Sequence, residues 1–268
     1  MSTQSSCPQG FIETAGILAE TAREVILRHF RTPLAVDSKS DESPVTIADR
    51  ETEAALRRVI AARHPEHGIV GEEHGIERPD AEFVWVLDPI DGTKSFVTGS
   101  PLFGTLIALK HGDRPILGVI DMPVLDERWL GAAGRGTSFT DAGGGREARC
   151  RPCPALSSAL LRTTSLSMFE SDPADLPALR RVMEAVQVTV WGGDCYCYGL
   201  LASGFQDLVI EASLQNYDFM ALVPVVEGAG GIATDWNGRP LGLESDGRVV
   251  MAGDPRVHAA ALELLNRA

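Results

Sequence analysis

No apolar run in the 268 residues approaches the ~20 that a membrane-spanning helix requires, so a transmembrane protein is not expected. Residues 1–10 have neither a basic start nor an apolar segment; no secretion signal is read there, and the expected compartment is the cytoplasm. Positive charge is also short, with 24 Lys and Arg against 37 Asp and Glu and a formal net charge of −13. Nucleic-acid binding rests on clustered Lys and Arg that neutralise phosphates, so that class is set aside. Cysteine is sparse and odd in number: Cys7, Cys150, Cys153, Cys195 and Cys197. An odd count without a secretion signal argues against a disulfide framework. Cys150 and Cys153 have zinc-knuckle spacing, but Cys195 and Cys197 are not the usual second pair and no His follows at ligand spacing. Ordinary reduced thiols are expected. Internal repeats and low-complexity tracts are absent.

What is present is a hydrophobic content of 44%, enough for a substantial core in one large domain or two closely joined ones. Apolar periodicity predicts helices over 11–30 and 47–63, separated by a polar loop at 39–46. An apolar run at 68–70 leads into Gly71-Glu72-Glu73. Strand-like stretches at 83–87, 104–109, 116–120 and 128–132, punctuated by Gly and Pro, predict a meandering antiparallel sheet. Gly143, Gly144 and Gly145 mark a hairpin tip. A boundary is placed near 150, dividing an α+β domain (1–150) from an α/β domain (151–268). In the second half, strands at 160–163, 208–210, 231–234 and 249–252 alternate with helices at 177–186, 194–202, from 218 onward, and 255–266. Pro224, inside the third of these helices, should kink it or shift its first turn.

Most of the acidic surplus serves solubility; it has a sharper meaning where carboxylates converge and must recruit cations. The most informative string is Trp85-Val86-Leu87-Asp88-Pro89-Ile90-Asp91-Gly92-Thr93-Lys94. An apolar strand ends at Asp88, Pro89 interrupts the ladder, and Gly92 permits close backbone approach. Asp88, Asp91 and the Ile90 carbonyl then form a hard-oxygen site suited to magnesium. Taken alone, Asp-Pro and Asp-Gly would be turn formers; Glu72 and Glu73 upstream and Asp218 downstream favour the metal reading. His64, His67 and His74 match no zinc spacing and are expected as exposed loop residues. Glu73 is open between a supporting role and solvation. Asp49 is a helix-start carboxylate complementing the dipole on its own terms.

Gly71-Glu72-Glu73, Asp88-Pro89-Ile90-Asp91-Gly92-Thr93 and Tyr217-Asp218, in that order, resemble the inositol monophosphatase superfamily across roughly 39–231. The resemblance implies a layered α-β-α-β-α sandwich of the inositol monophosphatase / fructose-1,6-bisphosphatase type, mixed α+β and α/β. It implies Mg2+, two to three ions per subunit, in a cleft between the halves. Glu72, Asp88 and the Ile90 carbonyl would hold the first; Asp88, Asp91 and Asp218 the second; a third would lean on Glu72 and water. Backbone N–H groups of Gly92 and Thr93 would bind the phosphate. Asp49 and Thr93 would orient a metal-activated water, with Glu72 completing the catalytic group. Lys39 sits where such proteins often carry a loop lysine near the metals. A homodimer acting on a small-molecule phosphate ester, with no nucleic-acid or membrane partner, follows from the same resemblance.

The string Trp191-Gly192-Gly193-Asp194-Cys195-Tyr196, with Lys94-Ser95-Phe96 and the run after Asp218, is similar to the histidinol-phosphatase branch. Histidinol phosphate carries a cationic amine and an imidazole, which Asp194 and Glu211 could pair, and the resemblance adds Asp218 as a further substrate contact. Asp194 is the better discriminator, with a helix N-cap as its competing role. The alternative function is an inositol-1-phosphate or broad sugar-phosphate phosphatase. A non-catalytic regulator that retains the fold is weakened by the mutually repelling carboxylates.

Overall fold

The computed structural model describes residues 6–32, 36–38 and 44–267. Helix α1 (Gln9–His29) begins the chain, followed by the antiparallel pair β1 (Val36–Ser38) and β2 (Pro44–Thr46). Helix α2 (Ile47–Arg63) packs beside α1. Both helices match the predicted spans, because a stripe of Ala15, Leu18, Ala22, Val25 and Ile26 on α1 and Ala48, Leu56 and Ile60 on α2 has a shared face to bury. Lys39 lies outside the described residues.

An eight-stranded sheet follows: β3 (Gly68–Gly71), β4 (Gly75–Glu77), β5 (Phe83–Asp91), then a short helix α3 (Thr93–Val97), β6 (Gly104–His111), β7 (Arg114–Met122), β8 (Glu127–Ala132), β9 (Gly136–Asp141) and β10 (Gly144–Glu147). The spatial order is β10-β9-β8-β7-β6-β5-β3-β4. From β5 onward it is the expected antiparallel meander, but β3 joins β5 in parallel and makes the sheet mixed. β4 and β10 are exposed at every position, so they offered no burial alternation to read.

The second sheet contains β11 (Leu160–Thr163), β12 (Val188–Trp191), β13 (Leu208–Glu211), β14 (Ile232–Thr234) and β15 (Val249–Ala252), in the order β12-β11-β13-β15-β14. Between and after these strands run helices α4 (Asp175–Met183), α5 (Tyr196–Ala202), α6 (Asn216–Phe219), α7 (Leu222–Gly228) and α8 (Pro255–Leu265). The expected helix from 218 is split into α6 and α7. Pro224 stands in the first turn of α7 and cannot donate to the Met220 carbonyl four residues back, so the break falls at Met220 and Ala221.

Three cores stack these layers. Alternate residues of β5 serve two of them: Trp85 and Leu87 face Leu18, Ile26 and Leu56 of α1 and α2, whereas Val84 and Val86 face Tyr198 of α5 and Leu222 of α7. The middle core reaches Val209 and Met251 of the second sheet, whose other face packs Leu161 and Ile210 against Leu179 of α4 and Val257 of α8. The result is a mixed α-β-α-β-α sandwich, as the resemblance implies. Helix α7 is seated on Gly118 and Gly131, cross-strand partners in β7 and β8. A Cβ on Gly118 would stand 1.9 Å from the Ala221 carbonyl oxygen, and one on Gly131 would stand 2.2 Å from that of Pro224. Among the described residues all five cysteines are free, and no helix is long and apolar enough to cross a membrane.

Candidate active site

The site begins with an irregularity in β5. Asp88 pairs with Leu106 and Asp91 with Gly104, so Pro89 and Ile90 together oppose Thr105 in a bulge. The Pro89 carbonyl accepts from the Thr105 hydroxyl (2.8 Å) and the Ile90 carbonyl from the Thr93 hydroxyl (3.0 Å). Gly92, at φ +81°, turns the chain into α3, and a side chain there would meet Asp194 Oδ2 at 3.0 Å.

Asp218 arrives from α6 through a capping box in which the Gln215 N–H donates to Asp218 Oδ2 (2.7 Å). Carboxylate oxygens of Asp88, Asp91 and Asp218 lie within 4.8 Å of one another. Glu72 follows β3, its N–H donating to the Leu87 carbonyl (3.3 Å). The turn carrying it is organised by buried Glu53, which accepts from the Glu73 N–H (2.7 Å) and the His74 N–H (3.2 Å). Glu73 is therefore not solvated; its side chain is buried, 3.7 Å from Arg50. Asp49, in the first turn of α2, is 2% exposed.

These charges act on each other. Burial, followed by Glu72, Asp91, Asp218 and Asp49, pushes Asp88 well above the usual carboxylate range. Burial and then Asp194 do the same to Asp91, opposed by the Cys195 N–H that donates to its Oδ2 at 2.6 Å. Asp218 is pushed up to about 7, by burial first and then Glu72. Asp88 Oδ1 is buried with no hydrogen-bond partner among the described residues. An all-oxygen donor set with an orphaned buried carboxylate oxygen fits a hard divalent cation.

A carboxyl raised above its unfolded value of about 4 keeps its proton in the folded chain after the unfolded chain has lost it, so this contribution to stability is present at low pH and is lost as pH rises. With Asp218 raised to about 7, the loss spans pH ~4 to 7. Magnesium at ~100 Kd should raise the melting temperature by about 5–10 °C at pH ~8 and by clearly less at pH ~5. Thermal melts in chelator and in magnesium at both pH values check this; equal increments would disconnect the carboxylates from metal binding.

Beyond the cage, Asp194 follows Gly192 and Gly193, three successive residues with φ of 45°, 81° and 119° respectively. The helix therefore starts at Tyr196, and Asp194 does not act as its N-cap; its Oδ2 accepts from the Ser95 hydroxyl (3.2 Å). Burial raises its pKa, while Ser95 and Lys94 pull it down. Glu211 is 3% exposed; one carboxylate oxygen accepts from the N–H and hydroxyl of Thr164, the other from Tyr198 Oη (2.7 Å). Burial raises it to about 7. The contacts of Ser95, Thr164, Tyr198 and the Cys195 amide with these carboxylates have no sequence signal, because only the folding of distant segments brings them together.

The histidines correct an expectation. Of His64, His67 and His74, only the last is exposed; His67 is 3% exposed and stacks on His64 at 4.5 Å. Their nitrogens and a Glu66 oxygen also lie within 4.8 Å. However, Trp85 Nε1–H donates to His67 Nδ1 (3.2 Å), which leaves the proton of the neutral ring on Nε2, and burial holds both rings below their usual pKa. They form part of an aromatic cluster with Phe11 and Phe83.

Residues 8–268 match the inositol monophosphatase family. The chain belongs to that family. This inositol monophosphatase family phosphatase is 48% identical over 264 residues to "Bifunctional phosphatase IMPL2, chloroplastic" of Arabidopsis thaliana, covering 95% of this chain and 75% of that protein. It is 37% identical over 226 residues to a histidinol-phosphatase of Mycobacterium tuberculosis, covering 82% and 85%. Among solved structures, an inositol monophosphatase from Zymomonas mobilis superposes with a TM-score of 0.87 at 47% identity, covering 97% of this chain and 98% of that one. The family is metal-dependent, with magnesium typical, and the acidic cluster provides a place for such an ion.

Proposed function

We propose that this phosphatase is a magnesium-dependent phosphomonoesterase whose preferred substrate is histidinol phosphate. The observation that supports this reading is a further carboxylate, Asp194, lying against Gly92 and Ser95; with phosphate on the Gly92 turn, Asp194 would face the leaving group. A neutral polyol needs no such charge, whereas a cationic amine in a partly desolvated cleft does. Relatives named histidinol-phosphatase in Mycobacterium tuberculosis and Chlorobaculum parvum support it.

Glu72, Asp88 and the Ile90 carbonyl would hold one ion, and Asp88, Asp91 and Asp218 a second, with Asp88 shared; any third would lean on Glu72. Bound magnesium supplies an activated water at neutral pH and charge neutralisation at the phosphoryl group. Asp49 and the Thr93 hydroxyl would orient the attacking water, with the Asp49 carboxylate as the group that takes its proton. Backbone N–H groups of Gly92 and Thr93 hold phosphoryl oxygens in line with the departing alkoxide. Asp194 pairs with the substrate amine. Glu211, with both oxygens engaged by Thr164 and Tyr198, adds negative charge to the same wall. We also propose a cytoplasmic homodimer as the working form, which sedimentation equilibrium tests.

A second reading, inositol-1-phosphate as the better substrate, is favoured by the 47% identity to the Zymomonas mobilis inositol monophosphatase. Magnesium-dependent phosphate release from both esters, together with fructose-1,6-bisphosphate, decides between them. Histidinol phosphate should lead by at least about tenfold in kcat/KM, ~1.4 kcal/mol of transition-state binding. Asp194→Asn, which can still accept from Ser95, should erase most of that lead and leave inositol-1-phosphate turnover little changed. Equal or faster turnover of inositol-1-phosphate by the native chain rejects the first reading.

A further inference from the structure

Behind the bulge that carries Asp88 and Asp91 stands one dipeptide of β6, Gly104-Thr105, and each residue does something its neighbours on the strand do not. Gly104 pairs with Asp91. A Cβ there would lie 2.7 Å from Cys195 Sγ and 2.8 Å from Met122 Sδ, so only glycine admits the approach of Cys195, whose N–H holds Asp91 Oδ2. Thr105 is fully buried, and its hydroxyl donates to the Pro89 carbonyl at 2.8 Å.

A buried hydroxyl on a central strand costs stability unless it is hydrogen-bonded, and valine would fill the same volume without that requirement. The Pro89 carbonyl, for its part, sits inside a bulge where the ladder between β5 and β6 is interrupted. Thr105 gives this acceptor a side-chain donor that holds the Pro89–Ile90 peptide plane in place. That plane lies between the two carboxylates in sequence, and the next carbonyl, Ile90, accepts from the Thr93 hydroxyl. Two hydroxyls thus hold two consecutive carbonyls of the turn that sets the distance from Asp88 to Asp91.

We propose that Thr105 is a positioning residue for the metal-binding turn: it touches neither ion nor substrate, and fixes the spacing of Asp88, the Ile90 carbonyl and Asp91 from behind. The proposal rests on the metal-site reading given above. Groups that orient metal ligands in this way typically change metal affinity by about 10–100-fold when removed.

The test is titration calorimetry of magnesium into the full metal-free chain, for the native protein, Thr105→Val and Thr105→Ser, alongside the magnesium dependence of phosphate release. Thr105→Val should bind magnesium at least about tenfold more weakly, and its half-saturating magnesium should rise by the same factor. Its kcat at saturating magnesium should stay within about threefold of native, since the chemistry itself is untouched. Thr105→Ser, which keeps the donor, should bind within about twofold of native. Native affinity in Thr105→Val overturns the proposal, as does an equal loss in Thr105→Ser, which would assign the effect to shape and not to the hydroxyl. If Thr105→Val does not fold, Thr105→Ala below its melting temperature carries the same expectation. Absence of magnesium binding in the native chain would instead remove the metal reading itself, and this proposal with it.

Discussion

Asp91→Asn should abolish turnover of every phosphate ester while making the metal-free protein more stable. The two effects have one cause. Asp91 is half-buried beside Asp88 and Asp218, and desolvation, followed by the charges of Asp194 and Asp218, holds its carboxyl well above the usual range. An asparagine oxygen can still accept the Cys195 N–H, so the turn keeps its shape and only the charge is removed. On the proposed metal site, loss of that charge would weaken the hold on a divalent ion, and kcat/KM should fall by on the order of 10^3-fold or more for histidinol phosphate and inositol-1-phosphate alike. Without metal the same loss relieves like-charge repulsion in a buried site, so the melting temperature in chelator at pH ~8 should rise above that of the native chain. A variant that loses activity but melts lower in chelator would contradict the carboxylate-cage account.

Gly118→Ala should be the most damaging single methyl group that can be added to the middle layer. The new carbon would stand 1.9 Å from the Ala221 carbonyl oxygen, a backbone atom that no rotamer change can move aside. Helix α7 must then lift from β7 and β8, and the preceding turn that presents Asp218 must move with it. Overpacking of this kind costs about 3 kcal/mol or more, a fall of about 6–12 °C in melting temperature for a chain of this size. Activity should fall further than stability alone predicts, because Asp218 is displaced. Circular dichroism melts and phosphate release on the same samples check both; a native melting temperature would mean that α7 does not lie on the glycine pair.

The architecture was legible where periodicity and punctuation coincided. β5 reads as an unbroken apolar run because Trp85 and Leu87 serve one core and Val84 and Val86 another, and α1 shows its stripe because only one face is buried. The short exposed strands β4 and β10 left no such trace. At the site, Asp88 and Asp91 announced themselves through Pro89 and Gly92, since a strand rarely ends on that sequence without a reason. Glu72 and Asp218 were legible only through their order along a family pattern. What orients them was not: Thr105 looks like any β-branched residue, Glu53 like a surface carboxylate on a polar helix, and Thr164 like loop filler. Their importance lies in a single hydrogen bond each across the fold, and pairing over such separations has no local signature. His67 was misplaced for a related reason, as its burial depends on Phe11 of α1 closing over it.

The seating of α7 on two glycines also bears on how the chain is made. Glu72, Asp88 and Asp91 leave the ribosome before Asp218, and in the folded chain Asp218 is presented to Asp88 and Asp91 just ahead of the helix seated on β7 and β8. A nascent chain that has not yet presented Asp218 therefore lacks one carboxylate of the proposed metal site. Enzymatic competence becomes a late milestone of synthesis, reached together with the burial that shields the chain from proteases.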